Sequence, residues 1–181
     1  ATATVANGSR IIGSRSDLSG GAVYIEASSF TMQNRSSIIG SHSQTQGGAI
    51  YMASGSLTVA DRSSIINTTS ALYGGALQMS GGTALVTNGS LIYRPKSQRS
   101  GGAISQKGGS LTVTNGSAIV NATSENTGGA IYVEVGTFTL ANDSFIENST
   151  VWGQGSAIFN SGGIVIVSDS RISRSFARRR A

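Results

Sequence analysis

Eight carboxylates, one histidine and no cysteine are all that this 181-residue chain offers for acid–base or metal chemistry. The acids are Asp17, Glu26, Asp61, Glu125, Glu134, Asp143, Glu147 and Asp169. Glycosidic chemistry or a Ca²⁺ site needs two or more of them converging on one groove. A thiolate metal site is excluded by the missing Cys. His42 is the only imidazole and lies in a polar turn, so a triad or a His-based metal site lacks partners. A second chemistry is more abundant. Asn-x-Ser/Thr, the acceptor for N-glycans, occurs at Asn7, Asn34, Asn67, Asn88, Asn115, Asn121, Asn142 and Asn148. Whether any of these groups converge depends on the elements that carry them.

Those elements are set by a repeat. The tetrapeptide GGA[I/L/V] starts at Gly20, Gly47, Gly74, Gly101 and Gly128, and GSAI follows at Gly155, each 27 residues after the last. Counting from the first Gly, position 4 holds Val23, Ile50, Leu77, Ile104, Ile131 and Ile158. Position 11 holds Ala3, Phe30, Leu57, Ala84, Leu111 and Phe138; position 13 holds Val5, Met32, Val59, Val86, Val113 and Leu140. Position 19 is Ile at 11, 38, 65, 92, 119 and 146. A final repeat one residue short continues the last three columns with Ile164, Ile166 and Ile172, at a step of 26. Apolar positions alternate with Ser and Thr, as in SLTV and TFTL, which marks strands with one buried face. One repeat cannot close a core, whereas stacked repeats bury a continuous one. The expected fold is therefore all-β: a right-handed parallel β-helix of about seven 27-residue coils with three short strands per coil. Coils ~4.8 Å apart make a rod of roughly 30 Å. The Gly pair is read as a turn where a side chain would clash or φ must be positive. One domain covers residues 1–176, with coils starting near 20, 47, 74, 101, 128 and 155, and residues 177–181 form a basic C-terminal tail.

Placed on this frame, the acids stay apart. Glu26 and Glu134 share position 7 but lie four coils apart, Glu134 stacks beside Lys107, and Asp143 and Glu147 fall at opposite ends of one strand. No catalytic residue, metal or cofactor is assigned, and an enzyme is not expected. The sequons fall in two columns. Position 15 (Asn7, Asn34, Asn88, Asn115 and Asn142, with Asp61) takes only short polar residues and reads as a turn ladder of amides bonded to backbone. Position 21 (Asn67, Asn121 and Asn148) also admits Arg94 and Arg174, so it must face solvent, and its sequons end in Thr. Asn67, Asn121 and Asn148 are the expected glycan sites, ahead of the first column.

The pairing of GGA[I/L/V] with a later FxxN, here Phe145-Ile146-Glu147-Asn148, resembles the repeats of the chlamydial polymorphic outer-membrane proteins. Similar GGAI coils occur in many β-helical surface proteins. The resemblance implies a β-helical passenger of a surface adhesin and a cell-surface setting.

Charge and surface narrow the partners. The net charge of +5 owes much to Arg171, Arg174, Arg178, Arg179 and Arg180 near the C-terminus, so the body is nearly neutral and no nucleic-acid footprint is expected. No apolar run approaches the ~18–20 residues of a membrane helix. Outward Thr/Ser pairs such as Thr2/Thr4 and Thr137/Thr139 form a lattice of the kind that holds ice in some β-helical antifreeze proteins, but Thr83/Leu85 interrupts it. Position 5 carries Tyr24, Tyr51, Tyr132 and Phe159, which suits packing between coils more than sugar stacking. The chain opens at position 9 of a coil and shows no amphipathic cap, which leaves apolar column ends at Ala3, Val5, Ile166 and Ile172. The expectation is a glycosylated, extracellular structural rod that assembles head to tail with copies of itself. An adhesin passenger is the alternative, with ice binding or a polysaccharide-active enzyme behind it.

Overall fold

In a computed structural model, which describes residues 1–178, the chain is an all-β solenoid without helices. Four parallel sheets run along the stack. Sheet A begins with Thr2–Val5 and Ser28–Met32 and ends with Ile164–Val167; sheet B runs from Arg10–Ile12 to Arg171–Ser173. Sheet D runs from Val23–Ile25 to Ile158–Asn160. These three carry the main strands of each coil. Sheet C, from Arg15–Ser16 to Phe176–Ala177, adds a two-residue segment at the corner between B and D. The strands are short because each coil must turn four times within 27 residues.

Register follows the repeat. Ile38, Ile65 and Ile92 are directly paired neighbours in sheet B, as are Ile50, Leu77 and Ile104 in sheet D. The core is one continuous column: Met32, Ile38, Met52, Leu57, Leu77, Ile104, Ile119, Leu140 and Ile146 are fully buried. Burial alternates along the sheet A strands, with Phe138 and Leu140 inside and Thr137 and Thr139 outside, because consecutive side chains of a strand point to opposite faces.

Two details differ from the sequence reading. The short last coil does not shift sheet A. Phe138 pairs with Val165 and Leu140 with Val167, at the full step of 27, so Val165 and Val167 continue the inner columns. Ile164 and Ile166 pair with Thr137 and Thr139 and point outward, so Ile166 is not a column end. The step becomes 26 only in sheets B and C, where Ile146 pairs with Ile172 and Thr150 with Phe176. The lost residue thus comes from the A-to-B turn, where shortening disturbs no strand pairing. The second difference is at the tail boundary: Ala177 lies in a strand, and Arg178 N–H donates to the Val151 carbonyl at 2.7 Å. Arg179, Arg180 and Ala181 lie outside the described residues.

Sheet C buries hydroxyls. Ser43, Ser70, Ser97 and Ser124 form an inward column that sits against the apolar core. Ser97 and Ser124 donate to the carbonyls of Ser100 and Thr127, three residues on, and close the C-to-D turn. At that turn the GGA motif is obligatory. Gly74 adopts φ +62°, and a Cβ on Gly75 would lie 2.2 Å from the Gly102 carbonyl oxygen of the coil above.

Candidate functional site

The acids remain dispersed. Among the described residues no group of three or more His, Asp or Glu could hold a metal ion. One neighbourhood escaped the sequence reading: Asp143 and Asp169 line a common groove of about 450 Å³ with Ser144, Phe145, Ser170 and Arg171. The regular bond from position 16 to position 15 of the next coil places them side by side, with Asp143 N–H donating to the Asp169 carbonyl at 2.7 Å, while the Arg171 guanidinium lies 5.5 Å from the Phe145 ring centroid. Glu147 pairs with Arg174 at 3.5 Å, an exposed pair of small value. Lys107, expected beside Glu134, lies over the Tyr73 ring at 4.8 Å. His42 Nδ1 is 2.8 Å from the Thr69 hydroxyl of the next coil.

The position-15 ladder exists, but its bonds run between side chains and not to backbone. Asn34 donates to Asn7 Oδ1 at 3.2 Å, Asn88 to Asp61 at 3.0 Å, Asn115 to Asn88 at 3.4 Å and Asn142 to Asn115 at 3.3 Å. Thr87 and Thr114 brace it, accepting from Asn115 and Asn142. Backbone φ explains the residue choice. Every ladder position is left-handed, from +45° at Asp169 to +59° at Asn7, a region that Asn and Asp tolerate. Position 16 is left-handed too: Gly8, Gly89 and Gly116 stand there, alongside Arg35 (+62°), Arg62 (+60°) and Asp143 (+60°). Asn-Gly is a strong signal for two successive positive φ angles; in these three sequons it marked a turn.

Both sequon columns reach the surface: Asn34, Asn88 and Asn115 are exposed, as are Asn67 and Asn148, with Asn121 half-buried. What separates them is the hydroxyl two residues on. Ser36, Ser90, Ser117 and Ser144 are buried, whereas Thr69, Thr123 and Thr150 are half-buried. Ser36 donates to the Gln33 carbonyl at 2.7 Å, and the backbone N–H groups of Ser90 and Ser117 donate to the hydroxyls of Ser117 and Ser144. The first column's sequons are therefore turn parts. Solvent exposure, the criterion applied to the sequence, does not discriminate between the columns.

The remaining surfaces follow packing. Tyr24 and Tyr51 stack at 5.1 Å, and Tyr132 and Phe159 at 5.8 Å, so one face of each ring is taken up by its neighbour. The Tyr24 hydroxyl is held above its ordinary pKa, by desolvation first and then by Glu26 and Tyr51. The Thr lattice of sheet A is broken by Leu85 and again by the outward Ile164 and Ile166.

A groove of about 720 Å³ is lined by Asn34, Arg35, Asp61, Arg62, Asn88 and Gly89. An L-residue other than Asn, Asp or Gly held left-handed costs roughly 1–2 kcal/mol, and this groove contains two in adjacent coils. Arg94 and Arg174 are also left-handed, but Arg94 lies over the Tyr93 ring and Arg174 pairs with Glu147. For Arg35 and Arg62, no carboxylate of the described residues lies within ion-pair distance.

The class defined by fold and site is a parallel β-solenoid with a turn ladder of amides and a polar, arginine-lined groove. Comparison with known proteins adds no relative: no family model, curated protein or solved structure matches the chain.

Proposed function

We propose that this chain is a non-enzymatic structural rod, a segment of an extracellular filament or surface stalk that extends head to tail. The supporting observation is the register of the terminal coils. At the first coil, Ala1 and Val5 direct their carbonyls to Ser29 and Gln33 of the coil above. By the same alternation, Thr2 and Thr4 aim their N–H groups away from the stack. At the last coil Ile164 and Ser168 donate to the coil below, which leaves the carbonyls of Gly163 and Val165 aimed outward in the matching places. A further coil, from the same polypeptide or a second copy, continues the ladder and covers Val165, Val167 and Ile172 below with Ala3, Val5 and Ile11 above.

The corner at Ser156 supports continuation through sheets A, B and C in particular. Gly129 must be glycine because its Cβ would sit 2.0 Å from the Ser156 carbonyl above it. Ser156, at the equivalent place one coil on, carries a side chain, so a coil cannot pack over it in the same way. A coil that continues only sheets A, B and C avoids that side chain. Contacts of this kind are heterologous and do not close, so they generate a filament.

Thr4→Pro and Ile172→Pro remove outward-facing N–H groups at the two ends and leave the internal ladder intact. Light scattering after size-exclusion chromatography should show concentration-dependent oligomers for the unaltered chain and monomers for either variant. An unaltered chain that stays monomeric at high concentration sinks the homopolymer.

N-glycans on Asn67, Asn121 and Asn148 fit the same extracellular reading. In a secretory host, glycopeptide mass spectrometry should find these three more fully occupied than Asn34, Asn88 and Asn115, whose serines are buried in turns. The reverse order would remove the turn-ladder explanation of the first column. The adhesin passenger is the second reading, and the open arginine groove is what favours it.

A further inference from the structure

We propose that the groove formed by Asn34, Arg35, Asp61, Arg62, Asn88 and Gly89 is an oxyanion site that grips an acidic, hydroxyl-bearing polysaccharide, such as a polyuronate. Backbone strain provides the first line of argument. Coils 1, 4 and 5 place Gly at position 16 (Gly8, Gly89 and Gly116), where φ is positive, while the two coils between place Arg35 and Arg62 there. Backbone strain kept at adjacent positions points to a use for the side chain. Both arginines are exposed, and the strand spacing sets their backbones one coil apart, ~4.8 Å. Two planar forks on adjacent coils suit a carboxylate or sulfate, which accepts two N–H bonds at once. On the upper side Gly89, itself left-handed at φ +69°, adds no side chain to the groove.

The amide ladder provides the second line. Each amide donates to the coil below, so Asn88 donates to Asp61, but Asp61 has no amide hydrogens to give to Asn34. The ladder breaks at this step, inside the groove, and leaves Asn34 Oδ1 and the Asp61 carboxylate as neighbouring acceptors. Two cationic donors beside two acceptors match an anionic group flanked by hydroxyls. A bare oxyanion would gain nothing from the acceptors and would be repelled by Asp61. The groove is open along the rod, which suits a polymer passing across it more than an enclosed small molecule. Nucleic acid is disfavoured because no aromatic side chain lines the groove.

The test uses the full 181-residue chain and calorimetric titration at low salt with polygalacturonate, neutral dextran, inorganic sulfate and duplex DNA. Polygalacturonate should bind and dextran should not. The double variant Arg35→Gly/Arg62→Gly should lose about tenfold or more in affinity while its thermal midpoint rises, because Gly fits the left-handed backbone. Loss of binding through misfolding would lower the midpoint, so the two causes separate. Asp61→Asn should tighten binding of sulfate and weaken the preference for the uronate over sulfate. Arg178→Ala, at the far end, should leave affinity within about twofold. Any one of four results overturns the proposal: no binding of polygalacturonate, unchanged affinity in the double Gly variant, equal binding of dextran, or DNA bound more tightly through the same arginines.

Discussion

Gly75→Ala should lower stability by roughly 3 kcal/mol or more in urea unfolding, beyond what one extra methyl normally costs a core. The added Cβ would sit 2.2 Å from the Gly102 carbonyl oxygen and 2.5 Å from the Lys96 backbone nitrogen. Every obstructing atom is backbone, so no rotamer change relieves the clash. Nor can the backbone yield cheaply. Gly102 N–H donates to the Gly128 carbonyl, Lys96 N–H to that of Thr68, and Ala76 N–H to that of Ala103. Separating coil 4 from coil 5 at this corner therefore breaks ladders in both directions. Ser156 is the internal control. It occupies the same place in the last coil, with no described coil above it, so Ser156→Ala should change stability by less than ~0.5 kcal/mol. Equal effects at Gly75 and Ser156 would mean that the glycine is kept for something other than the close approach of coils.

The column pattern made the solenoid readable because its signal repeats at every coil: a strand that buries one face shows period two, and a coil that stacks shows period 27. The reading failed where those signals go silent. Ile164-Val165-Ile166-Val167 is apolar on both faces, so alternation cannot set its phase, and a one-residue slip exchanges inside for outside. The pairing of Phe138 with Val165 settles what composition could not. The serines of sheet C were missed for a related reason: a buried Ser, including Ser97 and Ser124 that close their own turns, looks in sequence like any exposed one. Asn-x-Ser carried two meanings at once, and the glycan motif masked the turn signal of Asn-Gly. The arginine groove had a trace in the sequence, Arg where sister repeats have Gly at position 16. Its importance depends on φ and on the ladder break at Asp61, neither of which a column of letters displays.

Ile92→Ala should cost about 2–5 kcal/mol, towards the upper end of that range. Ile92 is fully buried in the middle of the sheet B column, between Ile65 and Ile119. Its coil already carries only Ala84 in the sheet A column, where the coils on either side have Leu57 and Leu111. With Ala at both places little side-chain volume remains to collapse into the gap, so the residual cavity, and with it the cost, should exceed that of Ile65→Ala, whose coil retains Leu57. Position in the stack also matters. Each coil touches only its neighbours, so a weakened central coil removes two interfaces at once, whereas a weakened end coil removes one. Thr58, on the outer face of sheet A, should by contrast tolerate Ala within ~0.5 kcal/mol. Urea melts of the three variants give the order directly. If Ile65→Ala proved costlier than Ile92→Ala, coil 4 would have to relax around its small residue, and the core would be softer there than its close-packed columns imply.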